Sequence, residues 1–164
     1  MNHGYLAFAF FGLCLAPSVL IAQGGNTSFN WKFEEGNKLM EEKFYNQAAD
    51  IWSELLAKDP ENANLNYKLG YSYFNSYNQK AKSLPFLEKA SVLRKATSGT
   101  FNTSGYDAFD PKIRNAPVEV DYYLGRMYHL NDQFDKADVA YQKFVDETDE
   151  KHYLHGQAKR GMEQ

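Results

Sequence analysis

Apolar residues recur along the chain at three- and four-residue spacing, the period of an apolar stripe on a helix. Trp52 and Leu55, Leu69 and Tyr73, Leu124 and Tyr128, and Leu154, Ala158 and Met162 follow one another in this way. The pattern predicts seven helices, at about 31–43, 46–57, 62–76, 81–95, 117–130, 134–147 and 151–163. Asp59-Pro60-Glu61-Asn62 supplies a stop and a restart, because proline cannot continue a helix interior. Asn131 and Asp132 stand before Phe134 as an expected cap and turn. No alternating strand pattern competes, so the expected class is all-α.

The helices repeat. Leu69-Gly70-Tyr71-Ser72-Tyr73 and Leu124-Gly125-Arg126-Met127-Tyr128 share the pattern L-G-x-x-Y, and Gly36 precedes Gly70 by 34 residues. Small residues follow at matching places, Ala48, Ser83 and Ala137, each trailed by bulky ones such as Trp52, Leu87 and Tyr141. A glycine inside a helix costs roughly 1 kcal/mol relative to alanine, so three at one repeat position point to close helix–helix approach. On these residues the segment 31–164 resembles the tetratricopeptide repeat (TPR) family. The resemblance implies a right-handed solenoid of helical hairpins, about three repeats with the last helix as a cap.

Two departures stand out. Tyr73 to Ser83 is ten residues where the repeat has nine. Leu69 to Leu124 is 55 residues, about 21 beyond one period. The surplus falls at about 97–117, whose Gly, Ser, Thr and Asn content predicts an inserted loop. Its Phe101, Tyr106 and Phe109 are expected to pack it down on the repeats.

The first residues read differently. Tyr5 to Ala22 carries no charge, opens with an apolar run from Leu6 to Phe11, and ends in polar Gln23-Gly24-Gly25-Asn26. This is the layout of a secretory signal peptide, expected at 1–22 with a linker at 23–30. The single cysteine, Cys14, lies within it and is preceded by Leu13, which excludes lipidation. The mature chain would then carry no thiol. A net charge of −3 argues against a nucleic-acid or basic membrane-surface binder. The aromatic content of 16%, with twelve Tyr and twelve Phe, is high, and Tyr suits a helix surface that is apolar along its body and polar at its tip.

A narrower likeness lies in Ala116-Pro117-Val118-Glu119-Val120-Asp121-Tyr122-Tyr123-Leu124-Gly125-Arg126-Met127-Tyr128, followed by Gln133-Phe134-Asp135-Lys136-Ala137. This stretch is similar to the N-terminal repeat region of Bacteroidetes outer-membrane proteins with OmpA-like C-terminal domains, some of them in type IX secretion and gliding. The β-propeller and peptidoglycan-binding domain of such proteins have no counterpart before Gln164, so peptidoglycan binding is not carried over. The resemblance implies an exported, periplasmic or outer-membrane-associated scaffold for a protein or peptide partner. A structural spacer within a longer OmpA-like protein, and a ligand-binding module using the inserted loop, are the alternatives.

Catalysis is not expected. His152 and His155 could share a helical face as metal ligands, but no cysteine joins them and Asp149 and Glu150 read more simply as a first-turn acidic cluster. Adjacent carboxylates such as Glu34-Glu35 diverge on a helix, and no phosphate-cradling glycine loop occurs. Neither a metal nor a cofactor is implied. Recognition is the expected chemistry, in a concave groove lined by the first helix of each repeat. Its expected residues are Phe33, Asn37 and Met40, then Tyr67, Tyr71 and Phe74, then Tyr122, Arg126 and His129. Phe33 stands where the carboxylate clamp of chaperone-binding members needs a lysine, which disfavours chaperone tails. Helical geometry predicts Tyr67, Tyr71, Tyr122 and Arg126 partly exposed, with Leu69, Tyr73, Leu124 and Tyr128 buried.

Overall fold

The computed structural model describes residues 18–94 and 106–163, with side chains from residue 27 onward. Its elements are α1 (Ser18–Glu41), α2 (Tyr45–Lys58), α3 (Ala63–Asn75), a 3-10 turn (Lys80–Lys82), α4 (Ser83–Leu93), α5 (Glu119–Leu130), α6 (Phe134–Asp146) and α7 (His155–Gly161). No strand occurs among the described residues, so the fold is all-helical. Of the signal peptide expected at 1–22, residues 1–17 lie outside the described residues. The cleavage point expected after Ala22 and the linker expected at 23–30 fall within α1, which is one continuous helix from Ser18.

Each helix packs on its successor, and α3 also touches α5 as α5 touches α7. The hydrophobic core is accordingly cut into successive slices. Phe33, Trp52, Leu55, Leu65 and Leu69 fill the first. Phe74, Leu87, Val120, Leu124 and Met127 fill the second. Tyr122, Ala137, Tyr141, Phe144, Leu154 and Ala158 fill the third.

The repeated glycines do the same thing three times. A methyl group on Gly36 would stand 2.6 Å from Cζ2 of Trp52, one on Gly70 2.9 Å from the Leu87 side chain, and one on Gly125 2.6 Å from Cδ1 of Tyr141. In every hairpin the first helix thus gives up its Cβ so that a bulky residue of the second can lie against its backbone. Ala48, Ser83 and Ala137 are all buried beside these crossings, and Ser83 Oγ donates to the Gly70 carbonyl at 2.7 Å.

The turns repeat as well. Lys43 and Asp132 both adopt left-handed backbone, φ 63° and 57°. Phe44 N–H bonds Leu39 O at 2.8 Å just as Gln133 N–H bonds Tyr128 O at 2.9 Å. Asp132 therefore makes the turn and is not the expected helix cap; the residue at the cap of α6 is Gln133, with no side-chain bond. The middle hairpin accommodates its extra residue differently. Ser76 Oγ donates to Tyr73 O and accepts from Gln79 N–H at 3.0 Å, leading into the 3-10 turn before α4.

The break expected at Asp59–Asn62 is present. Asn62 caps α3, its Oδ1 accepting from Leu65 N–H at 3.1 Å. At the other junction Arg94 is the central tie. Its guanidinium donates to Asp121 Oδ2 at 2.7 Å and to both Glu147 oxygens at 2.6 and 2.7 Å, fastening the end of α4 to α5 and to the residue after α6.

Candidate functional site

The odd-numbered helices α3, α5 and α7 are neighbours along one side of the stack, and the side chains that leave this side define the site. Asn64, Tyr67, Lys68 and Tyr71 follow each other at three- and four-residue spacing, so one stripe of α3 carries them all. The Tyr67 and Tyr71 rings lie 5.8 Å apart, and Tyr123 of α5 packs edge-on against Tyr71 at 4.9 Å and lies 6.4 Å from Tyr67. Phe74 stands beneath, 5.3 Å from Tyr123. Arg126 is exposed, with its guanidinium 5.7 Å from the Phe74 ring centre.

Further rings extend the cluster, Tyr45 lying edge-on to Tyr71 at 6.2 Å and Tyr122 edge-on to Tyr123 at 5.3 Å. Burial pushes the Tyr123 phenol up, with neighbouring tyrosines adding to the shift, so it stays neutral across ordinary pH.

The segment before α5 meets this side at the N-terminal half of α3. Residues 106–117 run across it as a strap. The Asn64 side-chain amide donates to Ile113 O at 3.0 Å, and Asn64 N–H donates to Arg114 O at 3.0 Å. Tyr106 OH donates to Asn64 Oδ1 at 2.9 Å. Arg114 pairs with Asp59, one of its two bonds measuring 2.8 Å. Lys68 Nζ donates to Ala108 O at 2.9 Å and to Asn37 Oδ1 at 2.7 Å. Of the two aromatics expected to hold the strap down and described here, Tyr106 does so; Phe109 is 56% exposed. Phe101 lies outside the described residues.

Lys68 is the most unusual group of the site. It is 2% exposed, lies 5.1 Å from the ring centres of both Phe33 and Trp52, and has no carboxylate bonded to it. Burial lowers its pKa to about 7, and only the nearby Asp107 opposes the shift.

The expected groove residues divide. Tyr67, Tyr71, Phe74 and Arg126 come together as described, although Phe74 is buried. Phe33 and Tyr122 do not line the surface. Phe33 is 1% exposed and packs edge-on against Trp52 at 5.3 Å; Tyr122 is 2% exposed and lies 6.0 Å from Tyr141. Both rings turn into their own hairpin, whereas Tyr67, at the same place before Gly70, stays half-buried in the surface cluster. Tyr122 still reaches the edge with its hydroxyl, which donates to Gln157 Oε1 at 2.9 Å and accepts from Arg126 at 3.2 Å. Asn37 is buried under the strap, holding Lys68. Met40 accepts from the Trp52 indole N–H through sulfur at 3.1 Å. His129 lies at the turn edge, 5.1 Å from Phe134 and apart from the cluster.

Sequence reasoning missed Tyr123, Asn64 and Lys68. For Asn64 and Lys68 the signal is the stripe they share with Tyr67 and Tyr71. The expected exposure split holds for Tyr67, Tyr71, Arg126, Leu69 and Leu124; Tyr73 and Tyr128 are half-buried, Tyr128 donating its hydroxyl to Glu88 at 2.7 Å.

His152 and His155 do not converge. α7 begins at His155, later than expected, so the two do not share a helical turn. His155 Nδ1 faces Thr148 Oγ1 at 3.1 Å while His152 Nε2 faces Glu119 at 3.3 Å. No group of three or more potential metal ligands occurs among the described residues. Set against known proteins, the chain matches no protein family and no curated relative.

Proposed function

We propose that this chain is an exported TPR scaffold that binds a partner protein or peptide and catalyses no reaction. The thrice-repeated crossing of a helical glycine and a bulky residue, together with the matching left-handed turns of the first and third hairpins, supports the TPR reading. The uncharged opening segment supports export to the periplasm or the outer membrane. No helix among the described residues is long and apolar enough to cross a membrane.

The observation that carries the binding role is Arg126. An exposed guanidinium stacked over Phe74, beside Tyr71 and Tyr123, offers charge and aromatic surface at one point. Arginine and tyrosine are the residues that most often dominate protein–protein binding energy. An assembly role in an outer-membrane secretion or motility complex is the form this takes if the likeness of residues 116–137 extends to function. A photo-crosslinking amino acid at position 126 of the full chain, expressed in its native cell, should trap a specific partner. The same group at Asp138, on the exposed side of α6, should not. Equal trapping at both positions would sink the groove as the binding surface.

A further inference from the structure

The strap touches α3 mainly through its own main chain. Ala108, Ile113 and Arg114 each offer a carbonyl, taken respectively by the Lys68 ammonium, the Asn64 side-chain amide and the Asn64 N–H. The last is one of the free N–H groups at the start of α3, which no helical carbonyl can reach. Two side chains add hooks: the Tyr106 hydroxyl on Asn64 Oδ1 and the Arg114 guanidinium on Asp59. A fourth donor lies beside these. Asn37 Nδ2 is buried, belongs to a residue 5% exposed, and has no hydrogen-bond partner.

A row of donors that engages carbonyls at spaced positions recognises extended backbone with little regard to sequence. We infer that the surface formed by Asn64 and Lys68 of α3 with Asn37 of α1 is a binding site for an extended polypeptide segment, and that residues 106–114 are its built-in competitor. This rests on the reading of the odd-helix side as a partner surface, and it adds what the partner presents there: main-chain carbonyls, one more of which the free Asn37 amide can take. The strap continues into buried Ala116 and Pro117, so its far end stays fixed while 106–114 leaves. A competitor tethered in this way acts at an effective concentration in the millimolar range, and the apparent affinity for an outside segment falls by the fraction of chains whose strap is lifted.

The test uses the full chain and a fluorescent peptide with the sequence of residues 106–116. The wild-type protein should bind it weakly. Tyr106→Phe with Arg114→Ala removes both side-chain hooks from the internal strap but not from the peptide, and should tighten binding at least tenfold. Adding Asn64→Ala should reverse most of that gain. A folded double variant that binds no better than wild type overturns the inference, as does a gain that survives Asn64→Ala. Amide hydrogen exchange on the wild-type chain gives a second reading that needs no variant. Amides of 106–114 should exchange faster than those of α3, since lifting the strap needs less than global unfolding. Exchange of both in step would show the strap to be a fixed part of the fold and would also overturn the inference. Failure of the peptide experiment with partner trapping intact at position 126 removes this inference alone. Peptide binding without trapping removes only the partner reading.

Discussion

Tyr141 lies between two glycines. A Cβ on Gly125 would stand 2.6 Å from one edge of its ring, and one on Gly161 2.6 Å from the other. Neither neighbour can yield a few tenths of an ångström toward the other, so even Gly125→Ala overfills the crossing. Its helix-propensity gain of about 1 kcal/mol opposes an overpacking cost of about 1–3 kcal/mol, and the net should be a lower urea midpoint with unchanged slope. A midpoint at or above wild type would show that α7 simply swings aside. This repeat signature was legible because a glycine in a helix is costly and so stands out three times over. Which face Tyr122 and Tyr123 take was not. They are neighbours in sequence, about 100° apart on the helix, and the rotation of α5 that decides between them is set by Tyr141 and Phe144 across the crossing.

At the scale of elements, α3 is bounded by local chemistry and then loaded by distant residues. Asn62 starts it, as the sequence indicates, but the strap that seals its first turns arrives from more than forty residues further on. Nothing local in Asn64 or Lys68 announces such a partner. Lysine ordinarily reads as a solvated charge, and only the Phe33 and Trp52 rings on one side and the Ala108 carbonyl of the strap on the other make this one a buried amine. A pH dependence follows from its pKa of about 7 against an ordinary value of 10.5. Between these values the unfolded chain holds a proton that the folded chain lacks, so stability should rise with pH from about 7 toward 10. Above about 10 the raised phenols of Tyr106 and Tyr123 reverse the slope, since they ionise first in the unfolded chain. Thermal melts across this range should climb and then fall. In Lys68→Met the climb should be missing, and a climb of the same size there would assign it to another group.

Over the whole molecule, stability is distributed among three slices, each drawing on three or four consecutive helices, and Arg94 ties α4, α5 and the end of α6 together. Asp121, whose side chain is 1% exposed, depends on that guanidinium and on Lys143 and Ser91. Arg94→Met would leave the Asp121 carboxylate buried with its main counter-charge gone, a loss of about 3–5 kcal/mol. Urea denaturation should show it, and a change under 1 kcal/mol would mean that Lys143 and Ser91 suffice. The network was not visible in sequence because Arg94, Asp121 and Glu147 come from three separate elements. The all-helical class, by contrast, was legible throughout, since apolar spacing and breakers are local.

Because each slice of core draws on only a few consecutive helices, tension applied along the stack passes from slice to slice. No element among the described residues bridges the length of the stack to share the load. A pulled chain should therefore lengthen in discrete steps, one hairpin at a time, and take them up again singly on release. Such a stack yields with graded slack rather than holding as a rigid strut.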